Sequence, residues 1–168
     1  AAAGESIVFA PLGRAGFVSF DDGLYVTANP NISSGLSTQS ARWAFTNDRA
    51  GYWVPLTWLS HILDIELYGI SPGPEHITNV LIHIINTLLL FALLRRITGA
   101  LYQSAFVAVG FAIHPLHVES VAWIAERKDV LSTLFLILTI GAYAPYVRNP
   151  SGHRYVTMVL LYASALMT

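Results

Sequence analysis

The chain has 168 residues, of which 54% are hydrophobic and 11% charged. Soluble domains carry roughly 25% charged residues, so an ordinary water-soluble globule is excluded. Nine Lys and Arg against ten Asp and Glu leave a net charge of −1, and without a basic excess nucleic acid is excluded as a partner. There is no cysteine, which removes disulfides and thiolate metal sites, and six histidines remain as candidate ligands.

The first residues, AAAGESIVFAPLGRAGF, hold a short apolar run broken by Pro11, Gly13 and Arg14. This is neither a signal peptide nor a full membrane span, and the polar stretch that follows so early reads as the sequel to a missing span. Residues 1–76 are expected to form an N-terminal segment and a first external loop. Within FVSFDDGLY, Asp21 and Asp22 are adjacent. Neighbouring carboxylates repel, which favours a cation, a metal or a shared proton as partner and suits one of them to act as a general base. A solvated turn is the other reading, because Asp-Gly favours turns. A short helix is expected from Ser37 to Phe45, capped by Ser37 or Thr38.

From Pro55 to Tyr68, Thr57, Ser60, His61 and Asp64 recur at helical spacing, while Leu56, Leu59, Ile62 and Leu63 are apolar. With Pro55 as first helical residue and Gly69 as stop, this is expected to be an amphipathic helix. It would lie on the membrane through the four apolar residues, its polar face toward water or a cavity; packing against a soluble neighbour is the alternative.

Charge-free segments then place spans at about 77–94, 99–114, 130–147 and 155–168. A span needs about 17 to 25 residues. The second reaches that length only with Gly99, Ala100 and HPLHV included, and the fourth stops after about 14 residues, as in a truncated chain. Asn79, His83 and Asn86 form a helical stripe in the first span and are expected to face other helices. Arg95 and Arg96, like Arg148 and Arg154, stand in short loops without acids, which makes those loops cytoplasmic. All ten acids fall in residues 1–76 and 119–129, so residues 17–75 and a second loop, 115–129, are external.

That second loop contains HPLHVESVAWIAERKD. His114, His117 and Glu119 offer two nitrogens and one oxygen for a divalent cation, or hydrogen bonds within the bundle. Glu119, Trp123, Glu126 and Arg127 are expected to share one side of a helix. Arg127 and Lys128 are anomalous cations in an external loop; they either hold an anion or pair with Glu126 and Asp129.

The segments FVSFDDGLYVTANP, GYWVPLTWLSHILDIELYGISPGPEHITNVLIHIINTLLL and FAIHPLHVESVAWIAERKDVLSTLF resemble the N-terminal membrane region of TMTC-type proteins, polytopic proteins with C-terminal tetratricopeptide repeats. Through them the chain resembles the wider GT-C class, which includes protein O-mannosyltransferases and bacterial relatives. The resemblance implies an all-α, polytopic transmembrane bundle whose long first external loop carries interfacial amphipathic helices. It implies an inverting glycosyltransferase that moves a sugar, mannose by preference, from a polyprenyl-phosphate donor to a hydroxyl of a protein or other acceptor. In that reading Asp21-Asp22 is the catalytic pair, Asp21 the base. His114, His117, Glu119, Glu126, Arg127, Lys128 and Asp129 lie near the donor phosphate, with a divalent cation as candidate cofactor. A bacterial inner membrane is the expected location. The rival is a transporter or scaffold subunit, whose key ionisable groups should lie near the bilayer midplane.

Overall fold

The computed structural model describes residues 9, 12, 15–17, 21–47 and 51–168, and among these it is helical without a strand. A π-helical turn, Gly23–Thr27, is followed by α1 (Pro30–Ser33), α2 (Thr38–Thr46), α3 (Pro55–Tyr68), α4 (Pro72–Thr98), α5 (Leu101–Ile113) and α6 (His117–Ala122). A 3₁₀ turn, Ile124–Glu126, leads into α7 (Arg127–Arg148) and α8 (Gly152–Leu166).

Local chemistry sets most of the boundaries. Ser37 and Ser40 exchange backbone hydrogen bonds at 2.9 and 2.8 Å as a capping box at the start of α2. Proline opens both α3 and α4, where a missing N–H costs nothing. Gly99 ends α4 at φ 71° with its N–H on the Arg95 carbonyl, a left-handed position that favours glycine.

Helices α4 and α5 form one hairpin and α7 and α8 another, with α4 also packed on α7. Two stretches, Pro72–Thr98 and Ile124–Arg148, are long and apolar enough to cross a membrane. The expected span at 99–114 is shorter than required: α5 has 13 residues, about 20 Å of helix. His114, which precedes Pro115, adopts φ −67° and ψ 130°, because the proline ring disfavours helix in the residue before it. HPLHV is therefore a turn and the start of α6, not an extension of α5. The fourth segment forms α8, 15 residues long.

The outer faces of these helices are apolar and exposed, with Leu81, Ile85 and Leu88 on α4, Leu136 and Ile140 on α7, and Leu160 on α8. Their inner seam is polar. Asn79 Nδ2 donates to the Trp123 carbonyl at 3.1 Å, Asn86 Nδ2 to the Val130 carbonyl at 2.8 Å, and His83 Nε2 lies 3.2 Å from the Ala112 carbonyl. The stripe faces other helices, as expected from its spacing.

A cap covers one end of the bundle. Its core comprises Tyr25, Val26, Ile32, Ala44, Val54, Trp58, Ile62 and Ile65, together with Ile124 and Ala125 from the turn before α7. Helix α3 is amphipathic and turns Leu63 outward as expected, but it differs from the expected orientation at Ile62 and along its polar face. Thr57, His61 and Asp64 are buried against the bundle, Ile62 is wholly buried rather than facing lipid, and Leu63 and Leu67 point outward. The physical reason is a cation beneath the helix.

Candidate functional site

Arg127, the first residue of α7, is fully buried. Its Nη1 lies 2.6 Å from Asp64 Oδ2 and donates to Ser60 Oγ at 3.1 Å. Nη2 donates to Glu75 Oε2 at 2.6 Å and to the Glu75 carbonyl at 2.8 Å, while Nε donates to Asn79 Oδ1 at 2.8 Å. Every nitrogen of the guanidinium therefore has a protein partner. His61 Nδ1 lies 2.9 Å from the same Glu75 oxygen. The planar fork pins α3, α4 and α7 together, which is why the polar face of α3 turns inward.

This network shapes its own acid–base chemistry. Burial pushes the His61 imidazole below the ordinary histidine range, Arg127 pushes the same way, and Glu75 opposes both. Burial pushes the Asp64 carboxyl up, against the pull of Arg127. Neutral His61 thus presents Nδ1–H to the Glu75 carboxylate.

The second cluster lies at the start of the described loop. Trp58, fully buried, packs on Tyr25 at 4.8 Å and Trp43 at 5.4 Å between ring centroids, fixing the π-helical turn. Asp22 is also fully buried, and its Oδ1 accepts the Ala125 N–H at 3.2 Å across 103 residues. The carboxylate thereby joins this turn to the segment leading into α7. Asp21, half-buried, remains at the cap surface, its carbonyl accepting the Tyr25 N–H at 2.9 Å.

Burial pushes the Tyr25 phenol up; Lys128 opposes the rise, and Glu126, Asp21 and Tyr52 add to it. Lys128 Nζ sits 5.7 Å from the Tyr25 ring centroid and 5.5 Å from that of Tyr52, a cation between two aromatic faces. It is 3.0 Å from both Glu126 carboxylate oxygens.

The remaining expected site residues divide. Asp129 Oδ2 accepts from Ser120 Oγ at 2.8 Å, joining α6 to α7. His117 packs at a tilt on Phe111 at 4.5 Å, with His83 at 5.6 Å and His114 at 6.2 Å; burial and the two neighbouring histidines hold its imidazole below the usual range. His114 is exposed and its Nδ1 accepts the Leu116 N–H at 3.2 Å. Glu119 is exposed. Among the described residues no three His, Asp or Glu side chains gather as a metal-binding group, so His114, His117 and Glu119 do not converge on a cation. Nor do Glu119, Trp123, Glu126 and Arg127 share a helical side. Trp123 is extended, at φ −90° and ψ 123°, and separates α6 from the 3₁₀ turn.

The structure thus places Lys128 beside Glu126, Tyr25 and Tyr52, with Asp21 on the turn that carries Tyr25, and withdraws Arg127 and Asp22 into the scaffold. Tyr25 and Tyr52 carried no signal in the sequence beyond lying near Asp21 and in a loop. The pairing of Arg127 with Asp64 and Glu75 links residues far apart in the chain, beyond the reach of spacing arguments.

Fold and site define an all-helical protein whose two long apolar helices carry a polar cap with a charged cluster in it. The chain is 30% identical over 145 residues to the Drosophila melanogaster "Protein O-mannosyl-transferase Tmtc2", covering 80% of this chain and 15% of that protein. It is 36% identical over 135 residues to the Mus musculus "Protein O-mannosyl-transferase TMTC1", covering 73% and 14%. Against the Homo sapiens "Protein O-mannosyl-transferase TMTC1" it is 34% identical over 135 residues, covering 73% and 15%. The chain belongs to the TMTC-type family, and it spans about a seventh of the length of these relatives. No family model and no solved structure matches it.

Proposed function

We propose that the chain is part of a membrane-embedded protein O-mannosyltransferase of GT-C type, and that the cluster around Tyr25 is part of its catalytic face. The names of its relatives support the activity. The observation that carries the reading is Lys128, held by Glu126 at 3.0 Å beside the Tyr25 and Tyr52 rings, on the same cap as Asp21, whose carbonyl accepts the Tyr25 N–H. A carboxylate and a cation at one surface are the two charges that sugar transfer from a polyprenyl phosphate requires.

In the proposed reaction the oxygen of an acceptor hydroxyl attacks the anomeric carbon from the face opposite the phosphate. The bond from that carbon to the phosphate oxygen breaks, the phosphate leaves with the electron pair, and the configuration inverts. Asp21 takes the hydroxyl proton, a contribution of about 10²–10⁴-fold in rate. Lys128 stabilises the charge on the leaving phosphate. Arg127 is a positioning residue, because its guanidinium is engaged by Asp64, Glu75, Asn79 and Ser60; it places Lys128, the next residue, at the cluster. The lipid tail of the donor stays in the bilayer beside the apolar helices while its headgroup reaches the cap.

The test uses the full-length protein with a purified polyprenyl-phosphate mannose. Asp21→Asn keeps shape but accepts no proton, so turnover should fall by about 10² or more with donor affinity retained. Lys128→Gln should weaken donor binding as well as turnover, since the phosphate is charged before the reaction begins. Near-normal turnover in Asp21→Asn would remove the catalytic assignment.

A further inference from the structure

At the end of the bundle opposite the cap, charge and shape combine in a way the transfer reaction does not use. Arg96 of α4, Arg148 at the end of α7 and Arg154 of α8 line one cavity of about 240 Å³, together with Pro145 and Asn149. The sequence has no acid between Glu75 and Glu119 or after Asp129. Among the described residues none of these arginines has a carboxylate partner within 4.0 Å. Arg154 is fixed at the rim, its Nη1 donating to the Asn149 carbonyl at 2.6 Å and the Pro145 carbonyl at 3.2 Å. Arg96 and Arg148 are exposed and carry no such bond.

Arg96 also lines a second cavity of about 230 Å³ that runs between α4 and α7 past Leu89, Ala92, Leu93, Leu138 and Gly141. The small residues Ala92 and Gly141 keep it open. A Cβ added at Gly141 would meet nothing within 4 Å. Three uncompensated cations thus abut an apolar groove, with Arg96 shared by both. A free phosphate would use only the first cavity; a molecule with an anionic head and a hydrocarbon tail uses both.

We propose that the two cavities form one binding site for an anionic phospholipid, its phosphate held among Arg96, Arg148 and Arg154 and an acyl chain lying along the groove beside Gly141. The site rests on the membrane reading above and is independent of the catalytic assignment at the cap. Its arginines stand at the helix ends beside the turns that the charge distribution makes cytoplasmic, the side where anionic lipids attract juxtamembrane cations.

The test reconstitutes the chain in vesicles of equal parts phosphatidylcholine and phosphatidylglycerol, and reads by mass spectrometry which lipid stays bound after detergent extraction. Phosphatidylglycerol should be retained over phosphatidylcholine by roughly tenfold or more. Arg96→Gln combined with Arg148→Gln should abolish that preference, and Gly141→Leu, whose Cβ would meet no atom within 4 Å, should abolish lipid retention. Inorganic phosphate should compete poorly. A chain that resists carbonate extraction yet retains both lipids equally overturns the proposal alone, as does a preference indifferent to the arginine pair. Retention unaffected by Gly141→Leu and matched by inorganic phosphate would make this a phosphate site and not a lipid site. A chain stripped from the vesicles by carbonate overturns the membrane reading and this proposal with it.

Discussion

Two adjacent aspartates have opposite fates. Asp22 lies at zero exposure on the Ala125 N–H, and Asp21 sits at the cap surface. Asp22→Ala should orphan a buried backbone donor and lower stability by about 1–3 kcal/mol, measurable as a lower thermal midpoint, whereas Asp21→Asn should leave that midpoint unchanged. Equal destabilisation by both would dissolve the distinction. Arg127→Ala should cost more, about 3–5 kcal/mol, because it abandons the carboxylates of Asp64 and Glu75 in a buried site. Arg127→Lys should recover only part of this, since an ammonium cannot span Asp64, Glu75 and Asn79 at once. Full recovery by lysine would mean that charge alone, and not the fork, holds the cap.

At the scale of elements, the sequence revealed more about where helices lie than about which way they face. Pro55, Gly69, Ser37 and the charge-free segments mark boundaries through local chemistry. The facing of α3 depended on Arg127, 63 to 67 positions further along the chain, so a rule that sends polar faces to water or a cavity misplaced Ile62 and missed the burial of Asp64. The docking of α3 should respond to pH with a definite sign. Because the folded pKa of His61 is depressed, its contribution is present above the ordinary histidine value of about 6.5 and is lost as pH falls below it. The folded pKa of Asp64 is raised, so its contribution runs the other way: complete below the ordinary carboxylate value of about 3.9, lost as pH rises through the raised value. Acidification from pH about 7.5 to about 5.5 crosses the histidine range and should lower amide protection, measured relative to the intrinsic exchange rate, in Pro55–Tyr68, and His61→Gln should flatten that response. An identical response in both proteins would assign the effect to another group.

For the whole molecule the decisive quantity is the separation of charge along the bundle. The buried ion network, the Tyr25 cluster and the described acids lie at one end, while Arg95, Arg96, Arg148 and Arg154 lie at the other with no acid near them in the sequence. Between the ends run two helices long and apolar enough to cross a membrane, with apolar outer faces. Carrying four unpaired arginines across a hydrocarbon layer is costly, so insertion should leave them on the side where the chain is made. Acids impose no comparable constraint, so the capped end is expected to be the external one. The absence of cysteine makes this directly measurable with single introduced thiols. Leu116→Cys, at an exposed position of the cap, should react with a membrane-impermeant maleimide added to intact cells. Thr98→Cys, at the exposed end of α4 beside Arg95 and Arg96, should react only after permeabilisation. Labelling of position 98 from outside would invert the bundle, moving both the Tyr25 cluster and the arginine pocket to the wrong leaflets for the roles proposed for them.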